Sequence, residues 1–304
     1  MALADLTFVA PLFVPGNVPH RFEKALHSGA DAIIIDLEDA VAFSDKQRAR
    51  DAVAQYFRDT PRHALDAQPP ARGVRLNAAG TEEFTLDIDC LREVHGEVDF
   101  LVLPMVHGPA DLDALRDALS FAAPSLQEAV VALVESSAGV LNSSAIADHR
   151  CVQRLAFGSA DLSSELGIEP TPMEEEFLLA RSQLVLASAA AGLAGPLDGP
   201  HLNVRDTDGL RARTRAARDL GMKGKLSIHP AQVPHVIDAL APSQEQYDQA
   251  RLIVESFEAS ETRGMSSIRL DDGTFIDYPI AERARRIVRA YEHVHPCRSE
   301  PNSA

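Results

Sequence analysis

The chain has 304 residues, a formal charge of −16 and a pI near 5.1, which is length enough for one large barrel or two ordinary domains. The acidic balance excludes a nucleic-acid surface, since that needs basic stripes to neutralise phosphates, and points to small-molecule partners. No run approaches the ~20 apolar residues of a membrane span, and the stretch MALADLTFVAPLFVPG lacks a basic leader and is broken by Pro11 and Pro15. Cys90, Cys151 and Cys297 are too few and too far apart for a disulfide framework or a CxxC site. A reducing compartment, and hence a soluble cytoplasmic protein, is expected.

In chain order, Thr7–Val14 reads as a first strand, turned by Pro15-Gly16-Asn17 into a helix with Asn17 as its cap and Pro19 in its first turn. Ala32–Asp36 (AIIID) is apolar without alternation, the pattern of a strand covered on both faces. It ends in the acidic group Asp36, Glu38, Asp39, at the strand end where α/β folds put their chemistry. The competing reading is that these acids merely open a helix whose dipole favours them. Lys46, Arg48 and Arg50 follow on the next helix, and the Pro- and His-rich stretch from Asp59 to Arg72 reads as a loop.

Gly73–Leu76 is the third strand and carries Arg75, whose planar fork suits a carboxylate at a barrel mouth. An internal salt bridge to an acid such as Glu135 or Asp161 is the alternative, because an unpaired half-buried guanidinium is costly. Phe100–Leu103 is the fourth strand, followed by an amphipathic helix over Ala110–Leu119. Ala129–Val134 and Leu155–Phe157 are the fifth and sixth, ending in Glu135 and, after a small turn, Asp161. Adjacent parallel strands lie ~4.8 Å apart, so these two carboxylates can reach one hard cation such as magnesium. A helix over Glu175–Ala190, a poor seventh strand at Ala194–Leu197, a helix over Thr207–Leu220 and an eighth strand at Lys225–Ile228 complete the alternation. His229 then faces either a phosphate or substrate, or sits in a plain turn.

Strand-helix repeats over roughly 230 residues indicate a TIM (β/α)8 barrel. A doubly wound sheet is disfavoured because VPGNVPHRF after the first strand lacks G-x-G-x-x-G. The barrel is assigned to residues 1–258. Residues 259–304 form a hairpin-helix extension, with Asp271-Asp272-Gly273 as the hairpin turn and Asp277 where the N-cap of the last helix would stand. Having no barrel slot, this extension is expected to act as a lid, packing on its own mouth or a neighbouring subunit's.

The blocks LFVPGNVPHRFEKA, SGADAIIIDLEDAV, GVRLN, ALVESSAGV, LAFGSADLSSELG, GKLSIHPAQV and DGTFIDYP, in this order, resemble the citrate lyase β-subunit-like branch of the HpcH/HpaI aldolase family, which includes malyl-CoA lyases. The resemblance implies a magnesium-dependent barrel, trimeric or a dimer of trimers, that makes or cleaves a carbon-carbon bond between an acyl-CoA enolate and a 2-keto acid. It implies Glu135 and Asp161 as metal ligands and Arg75 as the arginine on the keto-acid carboxylate and enolate oxygen. Asp277 corresponds to an acid that some relatives contribute from an adjacent subunit, and Glu38 and Asp39 to groups behind the metal that hold water and orient Arg75. Arg21, Lys46 and His229 complete the substrate-facing candidates. One departure is visible: the family commonly has Arg-Ser before the LFVPG block, where this chain has Ala10-Pro11. A CoA-independent pyruvate-type aldolase, a lyase subunit served by an acyl carrier protein, and a thioesterase are the alternative expectations.

Overall fold

The computed structural model describes residues 6–65, 69–262, 264–270 and 273–294. Its α/β architecture centres on a parallel sheet in sequential order: β1 Leu12–Pro15, β2 Ala32–Asp36, β3 Ala71–Arg75, β4 Phe100–Leu103, β5 Val130–Val134, β6 Val152–Phe157, β7 Leu197–Asp198 and β8 Gly224–Lys225. The sheet curls until its last strand meets its first. Lys225 N–H donates to Val9 O at 2.9 Å, Ser227 N–H to Pro11 O at 2.8 Å and Phe13 N–H to Ser227 O at 2.8 Å. This is a TIM-barrel-type fold, and with both faces covered the strands need no polar alternation.

Two apolar clusters show which way each strand residue points. Ala32, Ile34, Phe100, Val102, Val131, Leu133, Ala156, Leu197 and Leu226 form an inner core. Their strand neighbours Ile33, Ile35, Leu101, Leu103, Ala132, Val134, Leu155 and Phe157 pack outward with helix residues such as Phe57, Leu115 and Leu184. Side chains alternate faces with a period of two. Asp36, two beyond Ile34, Glu135, two beyond Leu133, and Gly158, two beyond Ala156, therefore point inward at the strands' C-terminal ends. Arg75 shares this parity with Gly73, where a Cβ would lie 2.4 Å from the Phe100 ring. Gly73→Ala is accordingly expected to destabilise by about 1–3 kcal/mol through overpacking, read as a lowered midpoint in denaturant.

The opposite end of the lumen is stoppered by Arg154, 1 % exposed. Its Nε donates to Gly195 O at 2.8 Å, and its Nη1 to Leu6 O at 2.9 Å and to Phe8 O. Burial lowers its pKa to about 10, with Asp31 pulling the other way. Outside the sheet a second buried ionic chain links Lys225 to Asp198, Asp198 to Arg181, Arg181 to Glu174, and Glu174 to Arg213.

The boundaries differ from expectation where hydrogen bonding overrides hydrophobicity. Asn17 does not cap a helix: the short turn Pro19–Arg21 has Val18 at its N-cap with no side-chain bond, and Asn17 Nδ2 donates to Asp45 Oδ2 at 3.0 Å. The chain divides into compact units at Leu240/Ala241, so the helix Gln244–Glu261 groups with the C-terminal elements rather than with the barrel. That second unit packs Ile253, Phe257, Ile276, Ala281 and Ala284 into its own core, between Gln244–Glu261, an antiparallel pair Ile268–Arg269/Phe275–Ile276, and the helix Tyr278–Val294. Of the expected hairpin turn, Asp271 and Asp272 lie outside the described residues.

Candidate active site

The mouth is assembled from strand ends whose inward parity carries charge in place of apolar side chains. Asp36 and Arg75 are register partners on β2 and β3. Arg75 Nε donates to Asp36 Oδ1 at 2.7 Å and Nη2 to Oδ2 at 2.6 Å, a bidentate fork. Its Nη1 lies 2.7 Å from Glu38 Oε2 and 3.7 Å from Asp39 Oδ2, and its guanidinium carbon sits 4.7 Å from the Phe13 ring centroid. Burial works against the guanidinium charge, yet Asp36, with Glu38 and Asp39 behind it, holds the Arg75 pKa above the ordinary arginine value. The internal salt bridge weighed from the sequence thus exists, but with Asp36 and Glu38 as partners.

Glu135 leaves β5 directly beside Gly158, because Val134 and Phe157 are paired in register. A Cβ on Gly158 would stand 2.4 Å from both Cβ and Oε2 of Glu135, so the glycine makes the room in which this carboxylate lies. Glu135 Oε1 accepts the Met105 N–H at 2.8 Å. Met105 presents that donor from a left-handed conformation, φ 51°, a strain of about 1–3 kcal/mol in a non-glycine residue. Asp161 enters from the first turn of the helix Ser159–Leu166.

Burial, partly offset by the Met105 N–H and reinforced by Glu38 and Asp161, pushes the Glu135 pKa up to about 9. Burial, opposed by Arg75 and reinforced by Asp39, Asp36 and Asp161, pushes Glu38 up to about 8. Glu38, Glu135, Asp161 and Arg75 therefore occupy one electrostatic environment. Glu38 Oε2 is also a buried oxygen with an ion-pair neighbour but no hydrogen bond. Carboxylates crowded in one buried mouth suit a hard, oxygen-loving divalent cation. Among the described residues no three His, Cys, Asp or Glu side chains converge as a ready-made metal group. Glu135 and Asp161 are the carboxylates here that could hold such a cation.

A pH dependence follows. An unfolded glutamate titrates near ~4.3, so between there and the raised values of Glu38 and Glu135, about 8 and about 9, the folded metal-free protein binds more protons than the unfolded one. Its stability is expected to fall as pH rises through this window. Cation binding needs the ionised carboxylates, so affinity is expected to rise over the same range with proton release. Thermal unfolding from pH 5 to 9, in chelator and then in magnesium, checks both signs.

The remaining candidates divide. Lys46 Nζ donates to Leu37 O at 2.7 Å, Glu38 O at 2.9 Å and Asn77 Oδ1 at 2.6 Å. An ammonium has three donors, so Lys46 is spent on bracing the strand ends and has none for substrate, a correction to its expected role. Asp39 is mostly exposed and, at 3.7 Å, the most distant of the three acids paired with Arg75. Arg21 and His229 line a cavity of about 370 Å³ between the ends of β1 and β8, together with Phe13, His20 and Lys24. His229 Nδ1 accepts the Ala231 N–H at 3.1 Å and so also caps a turn. Asp277 lies in the C-terminal unit, where its Oδ1 accepts the Ile280 N–H at 3.1 Å as an N-cap. Asp36 is grouped with Glu38 and Asp39 by the sequence but given no role of its own there, although its parity with Ile34 marks it as inward. A Cys151–His149–Asp113 alignment, 3.0 and 3.4 Å, is no nucleophile: Cys151 is fully buried and burial pushes its thiol up to about 12.

A model of the HpcH/HpaI aldolase/citrate lyase family matches residues 10–230. The chain belongs to that family. The matched span lies wholly within the barrel unit. Among its relatives, (3S)-malyl-CoA thioesterase of Cereibacter sphaeroides is 33 % identical over 89 % of this chain and 90 % of its own. L-malyl-CoA/beta-methylmalyl-CoA lyase from the same species is 30 % identical over 93 % and 94 %. Among solved structures, the CitE protein of Mycobacterium tuberculosis, in complex with magnesium, acetoacetate and coenzyme A, superposes with a TM-score of 0.78 at 28 % identity, over 94 % of this chain and 99 % of that one. Among the described residues no helix is long and apolar enough to cross a membrane.

Proposed function

We propose that this family member is a magnesium-dependent carbon-carbon lyase that cleaves, or in reverse forms, a 3-hydroxyacyl-CoA-type ester, giving an acyl-CoA enolate and a 2-keto acid. The observation that carries this reading is the gathering of Glu135, Asp161 and Arg75 at one barrel mouth. Magnesium held by Glu135 and Asp161 would supply Lewis-acid stabilisation of charge on the substrate oxygens. Arg75 keeps N–H groups beyond the two donated to Asp36; they bind the keto-acid carboxylate and the oxygen that becomes negative as the bond breaks. Glu38, with its raised pKa, holds a proton or a water beside Arg75, and Asp39 is an outer support. In cleavage a base takes the β-hydroxyl proton as that oxygen becomes the keto-acid carbonyl, and Asp277, supplied by a neighbouring subunit of a trimer or hexamer, donates a proton to the enolate carbon, or removes it in the synthetic direction. The C-terminal extension, residues 259–304, acts in this reading as a lid on a neighbouring subunit's mouth.

The cavity bearing His20, Arg21, Lys24 and His229 suits the phosphates of the CoA carrier, and provides cationic groups although Ala10 stands where relatives commonly have arginine. Arg21→Glu/Lys24→Glu is expected to raise KM for the thioester about tenfold, about 1.4 kcal/mol, with kcat little changed, as read by initial rates. The CitE complex with magnesium, acetoacetate and coenzyme A supports the same ligand set, and the malyl-CoA thioesterase relative supports a second reading in which water replaces the keto acid. The deciding experiment is a screen of 3-hydroxyacyl-CoA thioesters for magnesium-dependent keto-acid release. Release of CoA without keto acid would select the thioesterase. Turnover of free hydroxy-keto acids alone would select a CoA-independent aldolase, and turnover only with an acyl carrier protein a lyase subunit. The lyase reading fails if no thioester is cleaved.

A further inference from the structure

We infer that Asp36 is the positioning residue for Arg75, and that its one carboxylate locks the arginine and the loop carrying Glu38 into a single unit. Asp36 is fully buried at the end of β2. Its Oδ1 accepts Arg75 Nε at 2.7 Å and Glu38 N–H at 2.9 Å. Its Oδ2 accepts Arg75 Nη2 at 2.6 Å and Ala40 N–H at 3.0 Å. A carboxylate offers about four lone-pair sites, and here four donors fill them. The fork fixes the guanidinium plane along one edge, and the Phe13 ring supports its face at 4.7 Å. The nitrogen outside the fork, Nη1, then lies 2.7 Å from Glu38 Oε2. The same Asp36 oxygens tether the backbone of Glu38, so arginine and glutamate keep a fixed spacing. A rotation of one disturbs the other. Reacting groups displaced by about 1 Å lose about 10²-fold in rate, so the geometry is sensitive to this one side chain. For its kinetic consequence the inference rests on the role given to Arg75 above.

Asp36→Asn tests it with little change of shape. The amide places a donor where an oxygen accepted two N–H groups, so one side of the saturated arrangement must let go. Phenylglyoxal labelling of the full chain, with Arg75 followed by peptide mass spectrometry, is expected to be at least about tenfold faster at Arg75 in Asp36→Asn than in the unmodified chain, because a guanidinium no longer held in a fork is accessible to attack. Alongside, kcat for magnesium-dependent keto-acid release is expected to fall about 100-fold with KM changed far less. The same substitution in an Arg75→Lys background is expected to add almost nothing, whereas a purely structural loss would cost the same in both backgrounds. Asp36→Glu keeps the charge and shifts the fork by one methylene; it is expected to show the same faster labelling, and covers the case in which the amide does not fold. Unchanged Arg75 labelling in a folded variant, or full additivity with Arg75→Lys, overturns the inference. Absence of lyase turnover in the unmodified chain would instead count against the proposed function, and the labelling would still decide whether Asp36 holds Arg75.

Discussion

Replacing Asp161 with alanine is expected to remove magnesium binding and at least about 10³-fold of lyase activity, while leaving the fold intact. Asp161 is partly exposed in the first turn of its helix, so its removal opens no apolar cavity and leaves no buried partner stranded. Its loss also relieves Glu135 and Glu38, both of which its charge pushes toward protonation. The metal-free variant should therefore be no less stable than the unmodified chain at pH 8. The rate effect follows from the several kcal/mol that a Lewis-acid metal contributes to charge stabilisation. Calorimetric titration with magnesium is the direct check. Unchanged affinity in Asp161→Ala would remove the metal from this mouth and with it the lyase reading.

The second large effect is expected from one added methyl group. Gly158→Ala brings a Cβ to 2.4 Å from Glu135 Cβ and Oε2, a separation real side chains do not tolerate. Gly158 itself has φ −110° and ψ 98°, an ordinary extended conformation, so backbone strain plays no part and the entire cost is steric. Either β5 and β6 part, at about 1–3 kcal/mol, or Glu135 swings away from the Met105 N–H and gives up the position facing Asp161. Both outcomes weaken magnesium binding, and activity should fall by about 10²-fold or more. Gly73→Ala is the control: it overpacks the lumen against Phe100, so it should lower stability while leaving magnesium affinity nearly unchanged in the folded fraction. Equal magnesium affinity in Gly158→Ala and the unmodified chain would show that Glu135 does not need the space the glycine leaves.

The barrel was legible because its strands are buried on both faces, which writes them as apolar runs such as AIIID and VVALV that end abruptly in charge. β2 and β4 match their expected limits residue for residue, since nothing but packing defines them. β7 and β8 are harder, because they are only two residues long and are carried by the Asp198–Lys225 pair rather than by an apolar run. The placement of Glu135, Asp161 and Arg75 at a strand end or first turn could be read from where each run stops. What could not be read is how each donor is already spent. Lys46 looks like a mobile cation on a helix, and only the backbone carbonyls of Leu37 and Glu38 in space show that it is a brace. Asp36 looks like one of three equivalent acids, and only the register with Arg75 singles it out. The C-terminal division at Leu240 was likewise hidden, because Gln244–Glu261 has the same helical pattern as the barrel helices and differs only in where its apolar face is buried.

The Arg154 stopper has a consequence for how the protein is made. Its partners Leu6 and Phe8 precede it by 148 and 146 residues. At a translation rate of about 5–20 residues per second, the opening segment is synthesised roughly seven to thirty seconds before the side chain that anchors it exists. The bonds from Lys225 and Ser227 to Val9 and Pro11 come later still. The part of the barrel synthesised first is thus the last to find its hydrogen-bond partners.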